Sequence, residues 1–96
     1  MKRLNKKFTS RGFDHVQIKR INRRAIYKRT PKDQPSSRPH YEVIMIGSHN
    51  GYKLGGSYIK PAETYPSSSM WGIAGWTCPD ELTANEKFEN IGKYTA

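Results

Sequence analysis

The chain has 96 residues, 34% of them hydrophobic and 11% aromatic, and its 17 Lys and Arg against 8 Asp and Glu give a formal charge of +9. A chain of this length makes one domain and buries about 60–65% of its unfolded surface, which excludes a deep aliphatic interior and leaves the core to a few rings with Ile, Val and Leu. One cysteine, Cys78, excludes an internal disulfide, and no apolar run approaches the ~20 residues of a membrane helix.

Residues 1–12 read as a basic flexible arm. Lys2, Arg3, Lys6, Lys7 and Arg11 crowd it, and only Leu4 and Phe8 offer an anchor. No apolar stretch follows this basic start, so it is not a secretion signal, and a reducing cytoplasm is the expected compartment.

The rest, residues 13–96, reads as a single α+β domain. "HVQIKRI", residues 15–21, alternates in part and predicts a half-buried strand; "RAIYKRT", residues 24–30, predicts a second. Asn22-Arg23 between them suits a hairpin turn, because Asn tolerates the left-handed conformation. A single helix over 13–29, with Phe13, Val16, Ile21 and Ala25 on one side, is the competing reading. The loop "PKDQPSSRP", residues 31–39, can hold neither ladder nor helix, and it also marks a charge boundary. Before it and through it, residues 1–39 carry 13 Lys or Arg against two acids; after it, residues 40–96 carry four Lys against six acids.

"HYEVIMIG", residues 40–47, is the best strand in the chain. Tyr41, Val43 and Met45 alternate with Ile44 and Ile46, and apolar residues on both sides predict a central position. "SHNGYKLGG", residues 48–56, is turn material with Asn50-Gly51 as its hairpin dipeptide, "SYIK" is a short strand, and residues 61–69 form a second irregular loop. "WGIAGWT", residues 71–77, predicts a strand bent at its glycines. Its two tryptophans are five residues apart, so a regular strand cannot bury both on one side. Trp76 is expected beneath a C-terminal helix against Phe88; Trp71 is either an exposed ring for a base or the edge of a small core. In that helix Thr77 or Cys78 is the expected N-cap, Pro79 lies in the first turn, Ala84, Phe88 and Ile91 form the buried stripe, and Gly92 is the stop. The expected architecture is four or five antiparallel strands with this helix packed on them.

The charge asymmetry points to an anionic partner, with DNA or RNA first. Phosphate contacts need dense cations, and Lys2, Arg3, Lys6, Lys7, Arg11, Lys19, Arg20, Arg23, Arg24, Lys28 and Arg29 supply them. Tyr27 and Trp71 are the candidate stacking rings. Lys19, Arg20, Arg23 and Arg24 are expected together at the hairpin tip. Charge carries no sequence information, so base specificity is expected to be low. The alternative is a protein-interaction module that meets an acidic patch, such as a phage or mobile-element inhibitor of a host nucleic-acid-processing enzyme. No membrane partner is expected, and the oligomeric state is left open.

Catalytic signatures are missing. No G-x-S-x-G, H-E-x-x-H or phosphate-loop motif occurs, so an enzyme is not expected. His40 with Glu42, or His49 with Glu63, can be imagined as a nuclease pair, but such pairings arise by chance in any chain of this size. Three scattered histidines and one cysteine give no metal set, and no cofactor is expected.

The order "AIYKRT", "YEVIMI", "YPSSSMWGIAGWT" and "ANEKF" resembles small proteins of bacteria and their phages that carry an AIYK strand, a YEV strand, a YP loop, a glycine–tryptophan strand and a helix with A-x-x-K-F. The likeness spans about residues 16–91 and implies the fold. "WGIAG" is also similar to the WGR domain, a nucleic-acid-associated module, with Ile73 where that family has arginine.

Overall fold

Two tight turns fold the first third of the chain into a meander. Arg11 and Gly12, at φ of 51° and 82°, join β1 (Lys7–Ser10) to β2 (Phe13–Ile21); Asn22, at φ of 54°, turns β2 into β3 (Arg24–Pro31). The structure, a computed structural model, describes residues 1–95. It is α+β: β4 (His40–Met45) and a last strand, Gly75–Cys78, complete a five-stranded antiparallel sheet, and helix α1 (Glu81–Thr95) follows. Between β4 and that last strand lie β5 (Gly47–His49), β6 (Tyr52–Leu54), β7 (Ser57–Ile59) and β8 (Ala62–Thr64), so the last strand is β9. The main sheet runs β1-β2-β3-β4-β9, while β5 pairs with β8 and β6 with β7 as separate ladders.

The helix alternative over 13–29 is thus replaced by the β2–β3 hairpin. Its register shifts between Gln17 and Lys19, the mark of a bulge. The expected flexible arm is also corrected. Lys7–Ser10 pairs with β2, Lys2 bridges Ala62, and the Leu4 N–H donates to Glu63 Oε1 at 2.9 Å. Leu4 and Phe8 supply the apolar contact that holds this segment against the sheet.

The central strands bury both faces, as the apolar residues on both sides of β4 require. On one face Ile26, Val43 and Cys78 meet Ala84, Phe88 and Ile91 of the helix, with Trp76 packed at the margin. On the other, Ala25, Tyr27, Ile44 and Ile46 are covered by Leu4, Phe8, Tyr65 and Trp71. The two tryptophans therefore lie on opposite faces. The predicted strand over 71–77 is shorter than expected: Gly72, at φ of 89°, turns the chain, and the ladder begins at Gly75. A Cβ on Gly75 would sit 2.6 Å from the Trp71 ring, so this glycine is where that ring lies down.

Two helix boundaries also differ. Thr77 and Cys78 are still in β9, and the cap is Asp80, whose Oδ1 accepts the Thr83 N–H at 2.7 Å. Gly92 does not stop the helix. Its missing side chain leaves room for the Arg24 guanidinium, which donates to the Phe88 carbonyl at 2.7 Å. Asn50-Gly51 does not close a hairpin either; Gly55-Gly56 does, between β6 and β7.

Candidate functional site

Strand alternation decides where the candidate cations point. The expected cluster at the hairpin tip is split in two. Lys19 and Arg24 turn to the helix, with Lys19 Nζ 4.6 Å and Arg24 Cζ 4.4 Å from the Phe88 ring centroid. Lys19 also reaches Asn85 at 3.3 Å and Glu89 at 3.6 Å. Arg20 and Arg23 go the other way. Arg23 donates to the Ile46 carbonyl and to Ser48 Oγ, both at 3.1 Å, and stays exposed. Arg20 clasps Glu63 with both terminal nitrogens, at 2.8 and 2.6 Å.

The Arg20 hydrogen bonds, the Leu4 N–H and the nearby charges of Arg20 and Arg3 hold the Glu63 carboxyl down at about 2, from an ordinary 4.5. A lowered carboxylate adds stability above its unfolded value and loses it as pH falls towards its folded one. The wild-type urea midpoint is therefore expected to fall between pH 4.5 and 2. Glu63→Gln should remove part of that slope; an unchanged slope would count against this clasp.

Tyr27 is a correction as a stacking ring. It is fully buried, its hydroxyl donates to the Asn5 carbonyl at 2.7 Å and accepts from Gln17 at 3.0 Å, and no base can reach it. Trp71 is half-buried; its indole N–H donates to Thr77 Oγ1 at 2.9 Å and its ring stacks on Tyr65 at 6.4 Å. Arg29 lies over the Phe13 ring at 4.3 Å and pairs with Glu42 at 3.4 Å.

Besides Arg23, six predicted cations remain exposed and outside every ion pair among the described residues: Lys2, Arg3, Lys6, Lys7, Arg11 and Lys28. Lys7 and Lys28 stand in one cross-strand row on either side of Val16. Arg3 and Arg23 line a shallow bay around the Arg20–Glu63 pair.

The sheet face away from the helix carries a polar cluster that the sequence did not disclose. Tyr27 on β3 is paired with Glu42 on β4, and His15 on β2 with Arg29 on β3. This brings His15 Nε2 to 3.4 Å from Glu42 Oε1, both groups being almost fully buried. His15 Nδ1 lies 3.2 Å from the Phe13 carbonyl, so both ring nitrogens face acceptors. The ring is stacked on Phe8 at 4.5 Å. The Tyr65 hydroxyl donates to Glu42 Oε1 at 2.6 Å, the shortest contact of the cluster.

Burial pushes the Glu42 carboxyl up, but the bonds from His15 and Tyr65 and the charges of Arg29 and His15 outweigh it and hold it below the ordinary range. Burial, then the bond to Glu42 and its charge, push Tyr65 strongly up. Above this cluster opens a cleft of about 610 Å³, to which Ser10, Arg11, Phe13, Ser67, Ser68 and Trp71 contribute. Three predicted site residues, Arg11, Arg29 and Trp71, thus meet in one place.

Sequence reasoning set Glu42 beside His40 and named neither His15 nor Tyr65 as its partner. The available signal was parity: His15, Arg29 and Glu42 lie two residues from Gln17, Tyr27 and Ile44 and so share their inward face. Among the described residues no three His, Cys, Asp or Glu side chains come together as a metal set. No described helix is long and apolar enough to cross a membrane. Cys78 lies in the helix-side core, where burial pushes its thiol up.

Comparison of the chain with protein-family models, with curated proteins and with solved structures finds no match.

Proposed function

We propose that the chain is a non-catalytic nucleic-acid-binding protein of low sequence specificity, working from the cytoplasm through its first strands. The observation that carries this reading is the set of cations left over once internal pairs are formed. Lys2, Arg3, Lys6, Lys7, Arg11 and Lys28 are exposed and make no ion pair, and Asp14 and Asp33 are the only acids in the same 39 residues. Three exposed acids, Glu81, Glu86 and Glu89, lie on the helix instead. The molecule is therefore polarised, and a polyanion is drawn to the β1–β2–β3 side.

Six phosphate contacts on a single strand correspond to a salt slope, log K against log salt, of about −4. Anisotropy titrations with labelled single-stranded DNA, single-stranded RNA and duplex at several salt concentrations read it directly. The combined variant Lys7→Ala, Arg11→Asn, Lys28→Ala should flatten the slope by about 2. Binding that ignores salt, or a slope that the variant leaves unchanged, overturns the reading.

One observation favours a protein partner instead. The β6–β7 hairpin leaves Tyr52, Leu54 and Tyr58 exposed at 48%, 64% and 59%, and a two-stranded hairpin is marginal in water without something to pack on. Nuclease-resistant co-purification with one acidic protein, lost in Leu54→Ser, would select that reading.

A further inference from the structure

We propose that the cleft above His15, Arg29 and Glu42 is a binding site for one nucleotide unit, a phosphate group carried with a planar base. The proposal takes from the nucleic-acid reading only the choice of carrier; its geometry is independent of the exposed lysines.

Charge comes first. Glu42 is the one carboxylate lining the cleft, and it faces Arg29 and His15 at the floor with Arg11 at the mouth. Two guanidiniums, those of Arg11 and Arg29, thus line a cleft with one carboxylate. Arg29 is also poorly satisfied. Arg29 and His15 each meet Glu42 through one long contact of 3.4 Å, while the short bond of 2.6 Å goes to Tyr65. Arg29 Nε is buried and has no hydrogen-bond partner. A buried N–H without an acceptor is costly, so the Arg29 guanidinium is left with unmet hydrogen-bonding capacity in a residue that lines the cleft.

Shape comes second. About 610 Å³ falls within the range of about 300–1,000 Å³ typical of small-ligand sites. The half-buried rings of Phe13 and Trp71 line the cleft beside the hydroxyls of Ser10, Ser67 and Ser68. Guanidiniums and hydroxyls suit a phosphate, and ring edges and faces suit a base. A duplex keeps its bases stacked, so a free mononucleotide or an unpaired strand end is the form that fits.

The test is a ¹⁵N NMR titration of the full chain with adenosine monophosphate, uridine monophosphate, adenosine and ribose 5-phosphate, followed by oligonucleotides with and without a 5′-phosphate. The monophosphates should shift the Trp71 indole N–H and leave that of Trp76, on the other face, in place. They should bind about tenfold more tightly than adenosine, the loss expected when a phosphate meets no guanidinium. Arg11→Asn keeps a residue that tolerates the turn's positive φ and should weaken the monophosphates severalfold; Ser68→Glu, at an exposed position of the cleft, should do the same by repulsion.

A 5′-phosphorylated strand that shifts Trp71 more than its 5′-hydroxyl counterpart identifies a strand end as the source; equal strands with competing monophosphate identify the free nucleotide. Either supports the site. Equal binding of nucleoside and monophosphate, or shifts confined to Lys7, Lys28 and the β6–β7 hairpin, overturns it. Oligonucleotide binding that persists without any monophosphate binding removes this site and leaves the cationic surface standing. The converse removes that surface and leaves the site.

Discussion

Phe88→Ala is expected to destabilise the chain by about 3–5 kcal/mol, the usual cost of emptying a buried phenylalanine site. Phe88 is fully buried, and it joins the helix to the sheet by lying with Ala84 and Ile91 against Ile26, Val43 and Cys78. Two cations, Arg24 and Lys19, also close on its ring. The cavity left by alanine cannot collapse easily, because the sheet behind it is held by ladders on both sides of β3 and β4. A domain of this size has about 5–14 kcal/mol of total stability, so a large fraction goes with one ring. Urea denaturation followed by far-ultraviolet circular dichroism measures it. With a slope of about 1–3 kcal/mol/M, the midpoint should fall by about 2 M. Leu82→Ala on the same helix is the control: Leu82 is 72% exposed and its loss should stay within about 0.5 kcal/mol. A Phe88→Ala loss no larger than that of Leu82→Ala would mean that the helix does not hold the sheet.

Glu42→Ala is expected to cost about as much, about 3–5 kcal/mol, for a different reason. The carboxylate is buried at 5% exposure and is the shared acceptor for Tyr65, Arg29 and His15. Without it a buried hydroxyl loses its short bond, the Arg29 guanidinium loses its counter-charge in the cleft, and His15 Nε2 loses its polar neighbour. Glu42→Gln keeps an oxygen for Tyr65 and should cost less. The pH dependence has a fixed sign. The folded carboxyl is held below its ordinary value of 4.5, so its contribution is complete above that value and fades as pH falls through the folded one. The wild-type advantage over Glu42→Gln should therefore shrink on acidification below 4.5. An advantage that is constant across that range would show that Glu42 acts by packing and not by charge.

These two residues stand for the two faces of one sheet. The helix face is apolar and structural, with its cations folded onto Phe88. The opposite face gathers aromatic rings, hydroxyls and a charged cluster under an open cleft. Six of the cations that the chain does not pair internally, Lys2, Arg3, Lys6, Lys7, Arg11 and Lys28, lie along or just before its first three strands. That separation lets the cationic surface be altered at Lys7, Arg11 or Lys28 without disturbing Phe88 or Glu42.

Local physics was readable without a fold. Alternation marked β2, β3 and β4; Asn22 marked the turn between the first two; the Ala84, Phe88 and Ile91 stripe marked the helix. The asymmetry of charge was equally visible, since counting residues requires no coordinates. What the sequence could not state was which side chains from distant strands share a face. Register set that: pairing brought Glu42 opposite Tyr27 and next to His15, and drew Glu63 onto Arg20. It also turned the basic start into β1, because Leu4 and Phe8 gain apolar cover only when the sheet's second face exists to receive them. Periodicity is a property of neighbours along the chain, whereas a buried charge cluster or a cleft is a property of neighbours in space, and only the tertiary pairing of strands creates those.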